Sequence, residues 1–491
     1  MANASIVEER SNGTGSGTNT KAAAAPASAS KEPTASAQST STPATTPDMV
    51  GMLAAMRAAA RKSKRAPSLE QRLAHLRAIE NLLVKNQEVI AEAISKDFSH
   101  RATQETRMTE IMMPVSLARH TREHLAEWMS IQDRESHIMT MTGRSELRPQ
   151  PLGVVGIIAP WNYPVQLAFA PLIQAIAAGN RAMLKPSEFT PATSDLIKRL
   201  ISETFSPEEV CVVTGDADVG QAFAKLPFDH LVFTGSTQVG KLVMKAAAEN
   251  LVPVTLELGG KSPSIVGPKF SVDRAAAAIM HGKVFNAGQT CVAPDYALVP
   301  RKQVPAFVAA CKVAVQKMFS SLEKNPDYTA VVNERHLGRL RSYLEEAKQK
   351  GAEVVELNVG DRMERKMAPT LVLEPSDDMR VMQDEIFGPI LPIVPYDTLD
   401  EAIAYVNDRP RPLALYLFED DSQIVEQVLE ETISGGVTVN DFGMHVVQDA
   451  LPFGGVGASG MGHYHGREGF EAFSKMKPVF YQLRLNGEAP S

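Results

Sequence analysis

A small, polar, glycine-containing loop, Asn286-Ala287-Gly288-Gln289-Thr290-Cys291-Val292-Ala293-Pro294-Asp295, carries a lone cysteine with no second Cys and no His beside it to complete a metal site. Such a thiol is either a nucleophile held for chemistry or a small buried hydrophobe. A nucleophile needs partners, and two other stretches hold suitable groups. Glu257, in Leu256-Glu257-Leu258-Gly259-Gly260-Lys261, sits at an apolar strand end, where desolvation raises a carboxyl toward the range of a general base. Its alternative is a structural carboxylate paired with Lys261. Asn162, in Trp161-Asn162-Tyr163-Pro164, offers a carboxamide donor of the kind that stabilises an oxyanion, or it simply forms a turn before Tyr-Pro.

Two further motifs could hold an anion and a sugar. Phe233-Thr234-Gly235-Ser236-Thr237-Gln238-Val239-Gly240 leaves a strand and enters a helix, so it presents backbone N–H groups and a positive dipole end. A glycine turn that only packs strand on helix reads the same way. The motif also departs from G-x-G-x-x-G and follows the fourth strand rather than the first, which argues against an ordinary Rossmann dehydrogenase. Lys185-Pro186-Ser187-Glu188 closes the second strand, where a polar or acidic group commonly meets ribose hydroxyls; a solvated charge pair is the alternative.

The elements that position these groups are legible as alternation. Apolar runs at 153–158, 181–185, 210–213, 230–233 and 252–258 alternate with helical stretches at 165–178, after Thr190-Pro191 and after Gly235. Unbroken Val/Ile/Leu runs between helices predict a parallel sheet covered on both faces, a doubly wound α/β architecture. Ser68 and Gln71 predict a capping box, with Leu69, Leu73, Leu76, Leu83, Ile90 and Ile94 on one helical face. The helical region over 103–128 reads as scaffold without chemistry. A second α/β set runs from about Gly260 to Gly462. The stretches 134–150 and 478–485 read as exposed alternating strands, including His137 to Met141, and suit an arm pairing between subunits or a simple edge strand.

Composition bounds the rest. A chain of 491 residues is long for one core, and 44% apolar with 22% charged residues describes a globular protein. A formal charge of −7 gives no basic field for gripping nucleic acid. Three cysteines, Cys211, Cys291 and Cys311, without paired spacing, fit a reducing compartment with no disulfide framework and no metal site. No apolar run is long enough to span a bilayer and no secretory pattern opens the chain, so a cytoplasmic protein without a membrane anchor is expected. Residues 1–47 are mostly Ala, Ser, Thr, Gly and Pro with almost no large apolar side chains, and predict a disordered tail.

Trp161-Asn162-Tyr163-Pro164, Lys185-Pro186-Ser187-Glu188, Gly235 to Gly240, Glu257 to Lys261, Gly288-Gln289-Thr290-Cys291 and Glu385-Ile386-Phe387-Gly388-Pro389 together resemble, in order and spacing, the NAD(P)-dependent aldehyde dehydrogenase superfamily. The resemblance covers the chain from about residue 50 onward. With Pro452-Phe453-Gly454-Gly455 it is most like the class acting on fatty, aromatic and coniferyl aldehydes. It implies that Cys291 is the nucleophile, that Asn162 and the Cys291 N–H hold the oxyanion, and that Glu257 activates water. It further implies that Gly235, Ser236 and Gly240 flank a diphosphate, that Lys185 and Glu188 hold the adenosine ribose, and that Glu385 and Phe387 fix the nicotinamide ribose and ring. Glu188 favours NAD, with NADP tolerated. The expected substrate is a hydrophobic aromatic aldehyde of the coniferyl type, with a long-chain fatty aldehyde as the same-fold alternative and a non-catalytic binding protein as the alternative of another class. The implied organisation is a cofactor domain over 48–133 and 151–258, a catalytic domain over 259–465, and an arm from 134–150 and 466–491 that makes a homodimer.

Overall fold

The computed structural model describes residues 47–482 apart from 136, 141, 323–324 and 358–364. The tail expected over 1–47 therefore lies outside the described residues except for Pro47, as does the end of the arm beyond Gln482.

Ser68 starts its helix through a reciprocal capping box, with the Ser68 hydroxyl accepting from Gln71 N–H and the Gln71 carboxamide oxygen accepting from Ser68 N–H. The apolar stripe expected to continue to Ile94 is divided into two helices, Leu69–Lys85 and Gln87–Asp97. Asn86 breaks it, because its side chain donates to the Leu82 carbonyl at 2.8 Å and leaves the helical conformation. Thr190 precedes the helix Pro191–Thr204, but its side chain makes no cap bond. Asp97 caps that helix instead, accepting from Ala192 N–H at 3.0 Å and Thr193 N–H at 2.9 Å.

Six strands form the first sheet, in the order Gly460–Met461, Val254–Leu258, His230–Gly235, Val154–Ile158, Arg181–Lys185 and Val210–Val212. All pair in parallel except the short Gly460–Met461, which runs antiparallel beside Val254–Leu258. The strands are buried almost throughout, as expected for a sheet with helices on both faces. Val154–Ile158 has the next strand in sequence on one side and His230–Gly235 on the other, so strand order reverses there.

A second, seven-stranded sheet runs Glu353–Glu356, Thr370–Leu373, Ile390–Tyr396, Tyr296–Pro300, Pro263–Val266, Ala414–Phe418 and Gly436–Val439, parallel but for the first strand. The third sheet is antiparallel: Gln132–Arg134, Gly143–Pro151 and Ser474–Gln482. The two segments read as arm strands thus pair with each other within one chain, from Ser474 opposite Pro151 to Gln482 opposite Gly143.

Three expectations about this part of the chain need correction. Ile138–Thr140 is a 3-10 turn rather than strand, closed by Thr140 N–H and its hydroxyl on the His137 carbonyl; Met141 is outside the described residues. Residues Gly466–Ala472, assigned to the arm, form a helix packed on Met113–Trp128 and Gln166–Ala177, with Phe470 5.9 Å from Trp128. Gly460–Met461, assigned to the catalytic half, completes the first sheet.

Candidate active site

The reversal of strand order creates a crevice outside the carboxyl ends of two adjacent strands, the standard ligand position in an open α/β sheet. One of them leads into Trp161-Asn162; the other ends at Gly235 and leads through Ser236 into the helix Thr237–Ala248. This explains why the glycine turn follows the fourth strand in sequence: that strand is the spatial neighbour of the first. Ser236 caps the helix by accepting from Val239 N–H. Gly240 serves packing, since a Cβ there would stand 2.6 Å from the Leu258 side chain.

Gly235 and Ser236 line a cavity of about 230 Å³ together with Asn162, Glu257, Cys291 and Glu385. Trp161, Phe387, His336 and Arg339 also line it, with the Trp161 and Phe387 rings edge-to-face at 5.3 Å. Cys291 also lines a second cavity of about 300 Å³, walled mainly by apolar groups including Met113, Leu167, Phe285, Val292, Phe442 and Phe453. The thiol therefore stands where two mainly apolar cavities meet, the first of which also carries the Asn162 carboxamide and the Glu257 and Glu385 carboxyls.

The loop that presents Cys291 is held in an uncommon shape. Asn286 (φ 48°) and Ala287 (φ 51°) both take the left-handed conformation that β-carbon residues avoid. Five hydrogen bonds over-determine it. Asn286 N–H donates to Glu105 at 3.1 Å, and its carboxamide donates to the carbonyls of Asn162 and Gln289 at 3.2 and 3.1 Å. Gln289, fully buried, donates to the carbonyls of Asn286 and Ala330 at 2.9 and 3.0 Å. Gly288 allows the loop to meet the Glu385 loop, because a Cβ there would lie 2.3 Å from the Gly388 carbonyl oxygen. On the same loop Asp295 joins Lys261 and accepts from Ile386 N–H at 3.0 Å.

Lys261 is thereby committed to Asp295 and to the carbonyls of Val381 and Asp384, at 2.8 and 2.9 Å, and it does not pair with Glu257. Both Glu257 carboxyl oxygens are buried without a hydrogen-bond partner. Burial pushes this carboxyl well above the ordinary range. Glu385 is pushed up to about 8, by burial first and then by the charge of Asp295. Its Oε1 has no partner, and Gly259 makes room for it, since a Cβ would stand 2.1 Å from Oε2. The Cys291 thiol is pushed up to about 12, by burial and then by the Glu385 and Glu257 carboxyls, against the weaker pull of the Cys291 and Val292 N–H groups.

Asn162 donates to the Gln289 carbonyl at 3.2 Å, which ties the carboxamide to the cysteine loop. Its own carbonyl accepts from Arg101 at 2.8 Å. Arg101 pairs with Glu110 at 2.9 Å, both side chains being fully buried, and the other Glu110 oxygen accepts from Val165 and Gln166 N–H at 2.9 and 2.8 Å. The segment read as scaffold without chemistry therefore holds both halves of the site, Glu105 gripping the cysteine loop and Glu110 with Arg101 gripping the Asn162 turn. A π-helical turn, Arg107–Met112, lies between Glu105 and the helix Met113–Trp128 and carries Glu110. The only sequence signal was a carboxylate within a Met-rich helical stretch, which does not reveal its distant partners. His336 and Arg339 were likewise missed, because no motif marks them.

Lys185 and Glu188 lie on the same carboxyl edge of the sheet but not in the lining of the cavity that holds Cys291. They pair with each other at 2.7 Å, Lys185 buried and Glu188 partly exposed. Cys211 and Cys311 are buried in a strand and a helix, away from both cavities. Among the described residues no cluster of His, Cys, Asp or Glu could hold a metal ion, and no helix is long and apolar enough to cross a membrane.

Fold and cleft together define a nucleotide-binding α/β protein with a thiol at the meeting point of two cavities. The chain belongs to the aldehyde dehydrogenase family, whose model matches residues 21–479. It is 54% identical over 420 residues to a protein of Pseudomonas aeruginosa named probable coniferyl aldehyde dehydrogenase, covering 86% of this chain and 88% of that one. It is 50% identical over 420 residues to the coniferyl aldehyde dehydrogenase of a Pseudomonas species, covering 84% and 87%. An NAD+ complex of a Bacillus cereus aldehyde dehydrogenase shares the fold with a TM-score of 0.80 and 27% identity, covering 89% of each chain.

Proposed function

We propose that the protein oxidises a hydrophobic aromatic aldehyde of the coniferyl type to its carboxylic acid, with NAD preferred over NADP. The observation that carries this reading is that Cys291 lines two cavities, one walled mainly by apolar side chains and one that also holds Asn162, Glu257 and Glu385. Both relatives named for coniferyl aldehyde support the substrate class.

Cys291 gives up its thiol proton to solvent, the resulting thiolate Sγ adds to the aldehyde carbonyl, and the oxyanion of the thiohemiacetal is held by the Asn162 carboxamide and the Cys291 N–H. A nicotinamide, when bound, supplies the two-electron acceptor that turns this adduct into a thioester. Glu257 then takes a proton from water, whose oxygen attacks the thioester carbonyl and releases the thiol. The cleft fits the nucleotide: the Ser236-capped helix start suits a diphosphate, the unpartnered Glu385 Oε1 suits a ribose hydroxyl, and Phe387 supplies an apolar wall. Lys185 and Glu188 are assigned to the adenosine ribose. Glu188 accepts from a free 2′-hydroxyl and repels a 2′-phosphate, while the adjoining Lys185 softens that repulsion. Two chains pair through the antiparallel arm sheet in this reading, and three free cysteines suit a reducing cytoplasm.

One observation favours a long aliphatic aldehyde as a second reading. The apolar cavity at Cys291 shares Met108, Met113, Gln166, Val446 and Val447 with an adjoining, mostly apolar chamber. Comparing kcat/KM for coniferaldehyde and a long-chain aliphatic aldehyde, each with NAD and NADP, tests the assignment. Preference for the aliphatic substrate would overturn the aromatic reading, and preference for NADP would overturn the role given to Glu188.

A further inference from the structure

A third cavity, of about 760 Å³, opens on the other edge of the first sheet. Its floor lies where three parallel strands begin, at Gly153, Arg181 and Val210, whereas the crevice described above lies outside the carboxyl ends of such strands. One wall is the turn between the helices Met49–Ser63 and Leu69–Lys85, and another is Pro149 to Pro151, where the arm strand ends. The volume is ordinary for a small-molecule site and more than twice that of either cavity at Cys291.

Charge distinguishes it from a packing defect. Arg61, Lys64, Arg65, Arg72 and Arg181 line it against a single carboxylate, Glu209, in a chain whose formal charge is −7. That carboxylate is already engaged: one oxygen accepts from the N–H and the hydroxyl of Ser206, at 3.3 and 2.9 Å, and the other lies 3.5 Å from His75. The side chains of Arg61, Lys64 and Arg65 have no partner among the described residues, and Arg181 uses one terminal nitrogen on the Glu208 carbonyl. Arg72 is the buried member, 5% exposed, its guanidinium lying so close over Gly179 that a Cβ there would stand 2.6 Å from its central carbon. Its Nε donates to the Pro67 carbonyl and its Nη1 to the Ala177 carbonyl, each at 2.9 Å. Capping the helix Gln166–Ala177 explains the second of these bonds. It leaves Nη2 without a hydrogen bond among the described residues, and burial lowers the guanidinium to about 10 with no carboxylate to offset it. A buried cation ordinarily has a counter-ion, and here the space beside it is a cavity.

We propose that this cavity binds a small phosphorylated metabolite carrying two or more negative charges, held by Arg72 and Arg181 at the floor and by Arg61, Lys64 and Arg65 from the turn. Phosphate suits the donors better than carboxylate does. A tetrahedral oxyanion presents acceptor oxygens in several directions, and the donors come from separate elements, whereas a carboxylate accepts within one plane. Cations on two walls also select an anion with more than one charged group over a lone inorganic ion. None of these residues lines either cavity at Cys291, so the site stands whether or not the protein oxidises an aromatic aldehyde.

Pyrophosphate is the probe, since it supplies two linked phosphates and nothing else. The full-length protein is titrated calorimetrically at low salt and without divalent metal, in saturating NAD+ so that the diphosphate position beside Ser236 is filled. One pyrophosphate per chain is expected to bind. The double variant Lys64→Ala/Arg65→Ala and the single variant Arg181→Gln are each expected to bind it at least about threefold more weakly, the lower end of one net hydrogen bond. Arg72→Gln would remove a helix cap along with the charge, so the decision is left to the turn and to Arg181. Thermal unfolding of both variants without pyrophosphate is measured alongside, so that weakened binding is read only in folded protein. Absence of binding in saturating NAD+, or a smaller change in either variant, overturns the proposal. Citrate or sulfate binding more tightly than pyrophosphate overturns the choice of a multiply charged phosphate.

Discussion

Cys291 is protonated near neutral pH in the geometry described, since burial and two neighbouring carboxyls hold its thiol at about 12. The thiolate is the reactive form, and below that value its fraction rises tenfold per pH unit. Alkylation of Cys291 by iodoacetamide in the cofactor-free protein is therefore expected to accelerate about tenfold per unit between pH 7 and 9; a rate levelling off near pH 7 would show that the thiol is already ionised. Glu385 makes an opposite kind of prediction. Its folded-state value of about 8 lies above the ordinary carboxyl value, so the folded chain holds a proton that the unfolded chain has lost. The stability this contributes is complete below about pH 4 and is lost as pH rises through about 8. Urea midpoints measured from pH 5 to 9 should fall less steeply in Glu385→Gln than in the parent; an unchanged slope would show that Glu385 is ionised in the folded state.

At the scale of elements, the site depends on a helix whose sequence advertises nothing. Arg101 and Glu110 form a fully buried pair that also binds the Asn162 carbonyl and the N–H groups of Val165 and Gln166. Breaking such a pair leaves a charge buried without its partner, at a cost of about 3–5 kcal/mol. Glu110→Ala is expected to lower unfolding free energy by about that amount and to cut turnover by loosening the Asn162 turn, as chemical denaturation and steady-state rates would show. A loss below about 1 kcal/mol would mean that the pair is not what holds the turn. The parallel strands were legible because both of their faces are buried and they read as unbroken apolar runs. Glu257 and Asn162 were legible as polar residues at the ends of such runs. The adjacency of the first and fourth strands was not, because strand order is set by how helices pack and not by any local pattern. Nor were Arg101, Glu105 and Glu110: the partners that make them functional lie tens to hundreds of positions away, at Asn162, Asn286 and Thr329. Glu385 and Phe387 had no local signal either, and were reached only through resemblance.

For the whole molecule, the antiparallel arm sheet places Glu146 at its buried centre, gripped by Arg148, by Arg144 at 3.0 Å and by the Tyr481 hydroxyl at 2.9 Å. A sheet built from segments more than 300 positions apart couples Ser474–Gln482 to Gly143–Pro151. The chemistry, however, turns on the thiol where the two cavities meet. It is tested most directly by trapping the intermediate: mixing the Glu257→Gln protein with NAD+ and an excess of coniferaldehyde, then weighing the intact protein and mapping the modified peptide. A near-stoichiometric acyl adduct is expected on Cys291, heavier by the mass of the aldehyde less two hydrogens and formed together with one burst of NADH. Sustained NADH production with Cys291 unmodified, or an adduct on any other residue, would contradict this chemistry.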